Sequence, residues 1–332
     1  MKKVFFIADG DSRVGLGHIS RCIALAKSLR QINIESYFFI KETSQIIDML
    51  NDSKFKFFIK KNSDQLQSIL TINKKIHFSC IILDTRQNLS KSFVKYLTGL
   101  CKVIIVRNKP NHEKLCVDLL IWPDVQKEYP KNITLSRPAQ ILAGNRYVLL
   151  GNLKQNNIQR NTNQILISMG GTDKRNLTTK IIRALKKSNH IYHANIIIGK
   201  LFTKKENVIK LIKNDERFTI IENKNNLIPF MQKATLGIFT FGVTVYEALY
   251  CGLPCIVMSH SKENDLYAKK LNEYNCMNYL GYYKSVKFTS IQKIVFDTIN
   301  NQKLLKDLSN NGSKLIDGKG SYRASQAIKN IM

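Results

Sequence analysis

The run Gly15-Leu16-Gly17-His18-Ile19-Ser20-Arg21 sets two glycines, an imidazole and a guanidinium where a strand-forming stretch, Val4-Phe5-Phe6-Ile7-Ala8, gives way to an amphipathic one. Ile19, Cys22, Ile23, Ala26 and Leu29 recur at helical spacing, which predicts a helix from about Ile19 to Leu29. Glycines let a backbone approach a ligand closely. A helix start presents unpaired N–H groups and the positive end of the dipole, and so favours anions such as phosphate. An imidazole there can exchange protons near neutral pH. A glycine turn with an N-capping imidazole would use the same residues without chemistry.

Three further clusters have the types of residue a phosphate or sugar site needs. Ser168-Met169-Gly170-Gly171-Thr172-Asp173 follows a strand-like run and precedes a helix expected near Asn176. Its Gly-Gly step admits a phosphate, with Ser168, Thr172 and the following N–H groups as donors. The Gly-Lys-Ser/Thr ending of a Walker loop is missing, and a plain turn fits equally well. Thr240-Phe241-Gly242-Val243-Thr244-Val245-Tyr246-Glu247 reads as strand end, glycine turn and helix start. Glu247 shares a helix face with Thr244. A carboxylate there can accept both ribose hydroxyls of a nucleotide; the alternative is a glutamate serving the helix dipole. Lys262-Glu263-Asn264-Asp265 follows the next strand and reads either as a third contact or as a solvated loop and helix cap.

These clusters need strands to present them. Short β-rich runs near 3–8, 34–39, 78–84 and 102–106 alternate with helical stretches at 20–30, 43–51 and 90–100. That alternation predicts parallel sheets with crossover helices. The polar segment 151–163 reads as an inter-domain linker. A second series follows at 165–168, 195–198, 218–221, 235–240 and 255–258. The expectation is two domains, 1–150 and 164–332, with the last helix packing back on the first. Ligands of such open sheets bind beyond the carboxyl ends of the strands, here expected in a cleft between the domains.

With 332 residues and 44% hydrophobic composition, the chain has the make-up of a globular protein of two domains. Seven scattered cysteines suit buried thiols in the cytosol better than a disulfide framework. Cys251 and Cys255 lack the further ligands of a zinc site, so no metal is expected. The chain opens on a charged pair and a short strand without a signal-peptide apolar core, which again points to the cytosol. The weakly charged run 234–258 is broken by Gly242, Gly252 and Pro254 and carries Glu247, so it reads as soluble elements. The formal charge of +28 is spread over both halves, without a basic arm or interleaved aromatics, so no nucleic-acid partner is expected. It suits anionic substrates or peripheral contact with an anionic membrane.

Taken in order and spacing, these elements resemble a known family. It comprises the hydrolases of UDP-2,4-diacetamido-2,4,6-trideoxy-β-L-altrose in pseudaminic acid synthesis and the related spore-coat polysaccharide proteins, distant relatives of the MurG-type glycosyltransferases. The matching residues are Gly15, Gly17, His18, Arg21, Leu25-Ala26 and Asp84, then Gly144 to Leu150. Gly170 to Asp173, Asn226 to Met231, the block from Gly242 to Pro254, and Asp317 to Gly320 with Arg323 continue the match.

The resemblance implies a GT-B fold, an α/β architecture of two Rossmann-like domains with parallel sheets facing across a cleft and UDP held mainly by the second. It implies a metal-independent reaction at an anomeric carbon without a cofactor. His18 would activate water, with Gly15, Gly17, Arg21, Asp84 and Asn264 on the substrate. Gly170, Gly171, Thr172, Gly242, Val243, Thr244 and Glu247 would take the nucleotide.

The sequence departs from the family at Asp84-Thr85-Arg86 (for Asp-His-Tyr), Arg107-Asn108 (for Asp-Asp), Asp265 (for glutamine) and Phe241 (for a small residue). These departures bear on the sugar more than on the fold. The reading is therefore a monomeric cytoplasmic hydrolase of a UDP-linked acetamido sugar. A glycosyltransferase on the same scaffold and a non-catalytic nucleotide-sugar or polyanion-binding module are the alternatives.

Overall fold

The computed structural model describes every residue except 11–14, 61–64, 86, 108–113, 126–133, 136–138, 152–159, 188–190, 200 and 225. Arg86, Asn108 and most of the polar segment 151–163 therefore lie outside the described residues. The chain forms two compact units, Met1–Asn152 with Gly318–Met332, and Leu153–Asp317.

The first unit is built on seven parallel strands: β1 (Lys3–Ala8), β2 (Glu35–Ile40), β3 (Lys56–Ile59), β4 (Cys80–Asp84), β5 (Lys102–Val106), β6 (Leu119–Trp122) and β7 (Gln140–Ala143). Their order across the sheet is β3-β2-β1-β4-β5-β6-β7. Helices α1 (Gly17–Gln31), α2 (Ser44–Asp52), α3 (Gln65–Ile76) and α4 (Lys91–Leu100) cover the two faces. Alternation along the strands divides the core. Val4, Phe6, Cys80 and Ile82 face α1 and α2, whereas Phe5, Ile7, Ile81 and Leu83 pack with Ile69 of α3 and Val94 and Leu97 of α4. Strands β3, β6 and β7 go beyond the sequence reading. Each has only four residues, and β3 and β7 are partly exposed edges, so their apolar signal is short.

The second unit repeats the plan with β8 (Gln164–Ser168), β9 (His193–Ile198), β10 (Phe218–Glu222), β11 (Leu236–Thr240), β12 (Cys255–Ser259) and β13 (Asn278–Tyr282). The order is β10-β9-β8-β11-β12-β13, again parallel throughout. Its helices are α5 (Leu177–Lys186), α6 (Lys205–Ile212), α7 (Ile228–Lys233), α8 (Val243–Tyr250), α9 (Lys262–Asn272), α10 (Phe288–Ile299) and α11 (Gln302–Leu315). The weakly charged run from 234 to 258 resolves into β11, α8 and β12. Among the described residues no helix is long and apolar enough to cross a membrane. Arg160 donates to the carbonyls of Met231, Ala234 and Cys251, each at 2.8 Å, which builds the end of the polar segment into this unit.

The last helix, α12 (Gly320–Ile331), belongs to the first unit. Ser321 Oγ donates to the Leu150 carbonyl at 2.6 Å, and Ser325 Oγ lies 3.1 Å from Ser28 Oγ of α1. At Gly320 an added Cβ would sit 2.1 Å from the Val148 carbonyl oxygen, so only glycine allows this approach. With the sheet on one side and α12 on the other, α1 is buried almost all round, as its residues show from Ile19 to Leu29.

In each sheet the strand order turns about one place, between β1 and β4 and between β8 and β11. Such a switch point leaves an open crevice beyond the carboxyl ends of the two strands, where ligands of open α/β sheets bind. Both groups of candidate residues sit at these ends.

Candidate functional site

In the first unit, β1 and β4 pair so that Ala8 lies opposite Asp84, the last residue of β4. Asp84 continues the Cys80 and Ile82 side of the strand and so faces α1. There it is fully buried and meets three residues of the first helical turns. His18 Nδ1 lies 2.5 Å from Oδ1, Arg21 donates through Nε to Oδ2 at 2.6 Å and through a terminal nitrogen to Oδ1 at 2.5 Å, and Cys22 Sγ lies 3.4 Å from Oδ2. Burial opposes ionisation of Asp84, but the Arg21 guanidinium and His18 hold its carboxyl well below the usual carboxylate range.

Nδ1 lies 2.5 Å from the acceptor-only Asp84 carboxylate and 3.0 Å from a terminal nitrogen of Arg21, and the short carboxylate contact calls for the hydrogen on Nδ1. In the neutral ring, Nε2 then bears the lone pair. Nε2 has no hydrogen-bond partner among the described residues. This is the geometry of a general base oriented by a carboxylate. Arg21 and Asp84, expected on the substrate, are joined to each other, and the pair supports the imidazole. Gly15 has φ +82 with open space beside its Cα, and Gly17 is the first residue of α1.

Nearby strand ends carry a second polar group. Thr85 Oγ1 donates to Asp9 Oδ2, and Lys60 Nζ lies 3.9 Å from Asp9 Oδ1. Arg107, one of the departures noted in the sequence, pairs at 3.3 Å with the buried carboxylate of Asp124 beyond β6. Asp9, Lys60 and Asp124 were not foreseen. Their only sequence signal is a position just past a strand, and β6 was not recognised.

In the second unit the loops after β8, β11 and β12 lie side by side because the strands do. Gly170 has φ +91, a left-handed conformation that favours glycine, and its position is 3.5 Å from Thr240 Oγ1 by the path an added Cβ would take. The backbone passes close to Gly199, where an added Cβ would sit 3.2 Å from the Gly171 carbonyl oxygen, and Thr172 is partly exposed.

The three following helix starts differ. Asp173 accepts from the N–H groups of Leu177 and Thr178, both at 2.8 Å, so it caps α5, and burial raises its pKa. The Leu177 and Thr178 N–H groups are thus held by a side chain of the same loop. Ser261 Oγ caps α9 by accepting from Asn264 N–H at 3.1 Å. The start of α8 has Gly242 before it and no side-chain cap, which leaves the Val243 and Thr244 amides open to an anion.

On α8, Val245, Tyr246, Ala248 and Leu249 are buried, while Thr244 and Glu247 share the partly exposed side. The Glu247 carboxyl has no hydrogen bond or ion pair among the described residues, and burial pushes its pKa up to about 7. It lies past the first turn, too far in to act as a cap. Asn264, expected on the substrate, donates its side-chain N–H to the Phe241 carbonyl at 3.1 Å, which ties the α9 start to the Gly242 turn. Asp265 turns away, bonded to Tyr279 Oη and 2.8 Å from Lys269. Among the described residues no group of three or more His, Cys, Asp or Glu is placed to hold a metal ion.

Comparison with known proteins follows the same division. The family described as glycosyl transferases group 1 matches residues 152–314, which contain every candidate residue of the second unit. The uncharacterized protein MJ1062 of Methanocaldococcus jannaschii is 26% identical over 99% of this chain, which spans 66% of that protein's length. The spore coat polysaccharide biosynthesis protein SpsG of Bacillus subtilis is 21% identical over 99% of this chain and 98% of its own. A UDP-2,4-diacetamido-2,4,6-trideoxy-beta-L-altropyranose hydrolase of Campylobacter jejuni is 24% identical over 68% of this chain and 82% of its own. Among solved structures, spinosyn rhamnosyltransferase SpnG has a TM-score of 0.72 at 13% identity, covering 99% of each chain. MurG of Acinetobacter baumannii has a TM-score of 0.69 at 14% identity, over 99% of this chain and 100% of its own. The chain has the GT-B fold. At these identities the structures establish architecture, and the chemistry rests on the residues.

Proposed function

We propose that the protein transfers a sugar from a UDP-sugar to an acceptor hydroxyl in the synthesis of a cell-surface polysaccharide. The observation that carries this reading is the open start of α8. It lies at the switch point of the second sheet, beside Gly170-Gly171 and the unpartnered Glu247, inside the stretch that matches the glycosyl transferases group 1 family.

In this reading the Val243 and Thr244 amides hold the diphosphate, and Glu247 accepts the ribose hydroxyls. His18 Nε2 takes the proton of the acceptor hydroxyl as its oxygen attacks the anomeric carbon. The bond to the diphosphate breaks, and UDP leaves with the electron pair. Asp84 stabilises the imidazolium that forms, and Arg21 keeps Asp84 ionised. A base of this kind contributes roughly a hundred- to ten-thousand-fold in rate. The match to SpsG over nearly the whole chain supports a polysaccharide role, and the charge of +28 suits a donor or carrier with phosphates.

A second reading replaces the acceptor hydroxyl with water. The sequence resemblance points that way, and the match to the Campylobacter jejuni hydrolase favours it. The match to the glycosyl transferases group 1 family favours transfer. The test is incubation of the purified protein with a panel of UDP-sugars, with and without oligosaccharide or lipid-linked acceptors. Transfer predicts UDP release that depends on the acceptor. Release of sugar and UDP in equal amounts from the protein alone would replace transfer by hydrolysis.

A further inference from the structure

A cavity of about 310 Å³ opens in the second unit at the amino ends of β8 and β9, between the last turns of α5 and α10. Leu185, Tyr192, Val295 and Ile299 wall it, and the exposed Ile191 and Phe296 stand at its mouth. Amides beside it are spent on the backbone: Gln292 donates to the Ala184 carbonyl and Asn300 to the Phe296 carbonyl, each at 3.1 Å. The loops after β8, β11 and β12, which hold the nucleotide in the proposed function, lie at the opposite ends of the strands of this sheet.

Apolar side chains are bared around this mouth. Ile191 is 84% exposed and Phe296 42%. Phe288, 43% exposed, is the first residue of α10, and Phe288, Gln292 and Phe296 follow at four-residue steps that keep them on one side of the helix. Three such side chains beside an apolar cavity form a patch of the kind that marks an interaction site. The surrounding charge decides its partner. Arg183 and Lys187 on the outer side of α5, and Lys284, Lys287 and Lys293 before and on α10, are all exposed. In the sequence of the segments 177–193 and 284–300, Asp297 is the one acidic residue. Asp215, beyond α6, is held by Arg217 at 2.9 Å and lies 3.8 Å from Lys186. A second copy of this chain is a poor occupant, because in a two-fold contact the basic face would meet itself. An anionic bilayer meets both demands, with phosphates for the basic residues and an acyl region for the apolar tips.

We propose that this face of the second unit docks on an anionic lipid bilayer, with Ile191, Phe288 and Phe296 entering the acyl boundary and the cavity taking the end of one acyl chain. Arg183, Lys187, Lys284, Lys287 and Lys293 meet the lipid phosphates. Docking by the amino ends of β8 and β9 leaves the carboxyl ends of the sheet, and with them the open start of α8, turned away from the lipid. The surface shares no residue with the proposed reaction, so lipid binding and UDP binding are read separately.

The test is co-sedimentation of the full chain with vesicles of phosphatidylcholine alone and of phosphatidylcholine mixed with phosphatidylglycerol, with UDP binding followed by calorimetry in every variant. Each Lys or Arg brought to an anionic surface strengthens binding roughly fivefold. The wild type should therefore bind the mixed vesicles at least roughly tenfold more tightly, and salt should weaken that binding. Ile191→Ser with Phe296→Ser, both at exposed positions, should weaken it at least roughly fivefold. Arg183→Glu with Lys187→Glu should weaken it at least roughly tenfold. The same change of charge by Lys74→Glu with Lys75→Glu, exposed on α3 of the first unit, should leave it within about twofold. UDP affinity should stay the same throughout. Phe296→Trp adds a tryptophan to a chain whose own, Trp122, is buried, and lipids brominated in the acyl chain should quench the added emission. The inference is overturned if both kinds of vesicle bind alike, if the Ile191 and Phe296 variant binds as the wild type does, or if the two charge variants weaken binding equally. It is also overturned if Phe296→Trp sediments with the vesicles and its emission is not quenched. Loss of UDP binding in the wild type would refute the functional reading and leave the docking face standing.

Discussion

Glu247 makes a prediction about pH whose sign and size follow from its position on α8. The carboxyl is partly buried without a partner, and burial raises its pKa from the usual 4.5 to about 7. The unfolded chain therefore loses this proton near pH 4.5 and the folded chain near pH 7. Between these values the folded state binds more protons, so stability falls as pH rises. The stability of the neutral form is fully present below pH 4.5 and is lost as pH rises through 7. At about 1.36 kcal/mol per pH unit, the loss from this one group between pH 5 and pH 8 is on the order of 2–3 kcal/mol. Glu247→Gln keeps the shape and removes the titration. Urea unfolding of both proteins at pH 5 and pH 8 isolates the group, because every other titration is shared. The variant should be more stable than the wild type at pH 8, by that amount more than at pH 5. Binding carries the opposite sign, since ribose hydroxyls need the carboxylate as acceptor. Relative to Glu247→Gln, the UDP affinity of the wild type should rise roughly tenfold between pH 6 and pH 8, following the ionised fraction of a group with a pKa near 7. Parallel stability differences at the two pH values would refute the burial argument. A parallel affinity profile would remove Glu247 from the ribose.

His18→Asn should lower turnover by roughly two or more orders of magnitude while calorimetry finds UDP affinity unchanged; near-normal turnover would remove the imidazole from the mechanism. Asp84→Asn leaves the Arg21 guanidinium buried without its carboxylate and should destabilise the protein by roughly 3–5 kcal/mol in urea unfolding, so wild-type stability would show the pair to be dispensable. Because the folded Asp84 pKa is depressed, the stability it contributes is present above the ordinary carboxylate range and lost as pH falls below it, and an acid titration of the wild type against the variant reads that window. Gly320→Ala drives a Cβ into the Val148 carbonyl and should destabilise the first unit by roughly 1–3 kcal/mol, measured by thermal unfolding with the second unit as internal reference.

Much of the fold was legible because its signals are local. Short apolar runs marked β1, β2, β4, β5 and β8 to β12, and glycine steps marked the turns that follow β8 and β11. His18 and Glu247 could be singled out for the same reason: each follows a glycine turn at a helix start, within one stretch of chain. The short strands β3, β6, β7 and β13 were missed, because four or five residues, partly exposed or without a clear alternation, carry too little pattern.

What only the tertiary structure decided is which of these residues meet. Asp84 lies 66 positions from His18, and they touch because β4 pairs with β1 and not with its sequence neighbour β3. That pairing joins Arg21 and Asp84, two expected substrate contacts, to each other and to the imidazole. Likewise, Asn264 and the Gly170-Gly171-Thr172 loop ahead of Asp173 look like ligand elements along the chain. In space Asp173 holds two amides of α5 and Asn264 holds a carbonyl at the Gly242 turn, which leaves α8 as the uncapped start among the helices after β8, β11 and β12. Periodicity records which side of an element is apolar. The partner of a polar group is set by strand order and register, and those are fixed by contacts far apart in the chain.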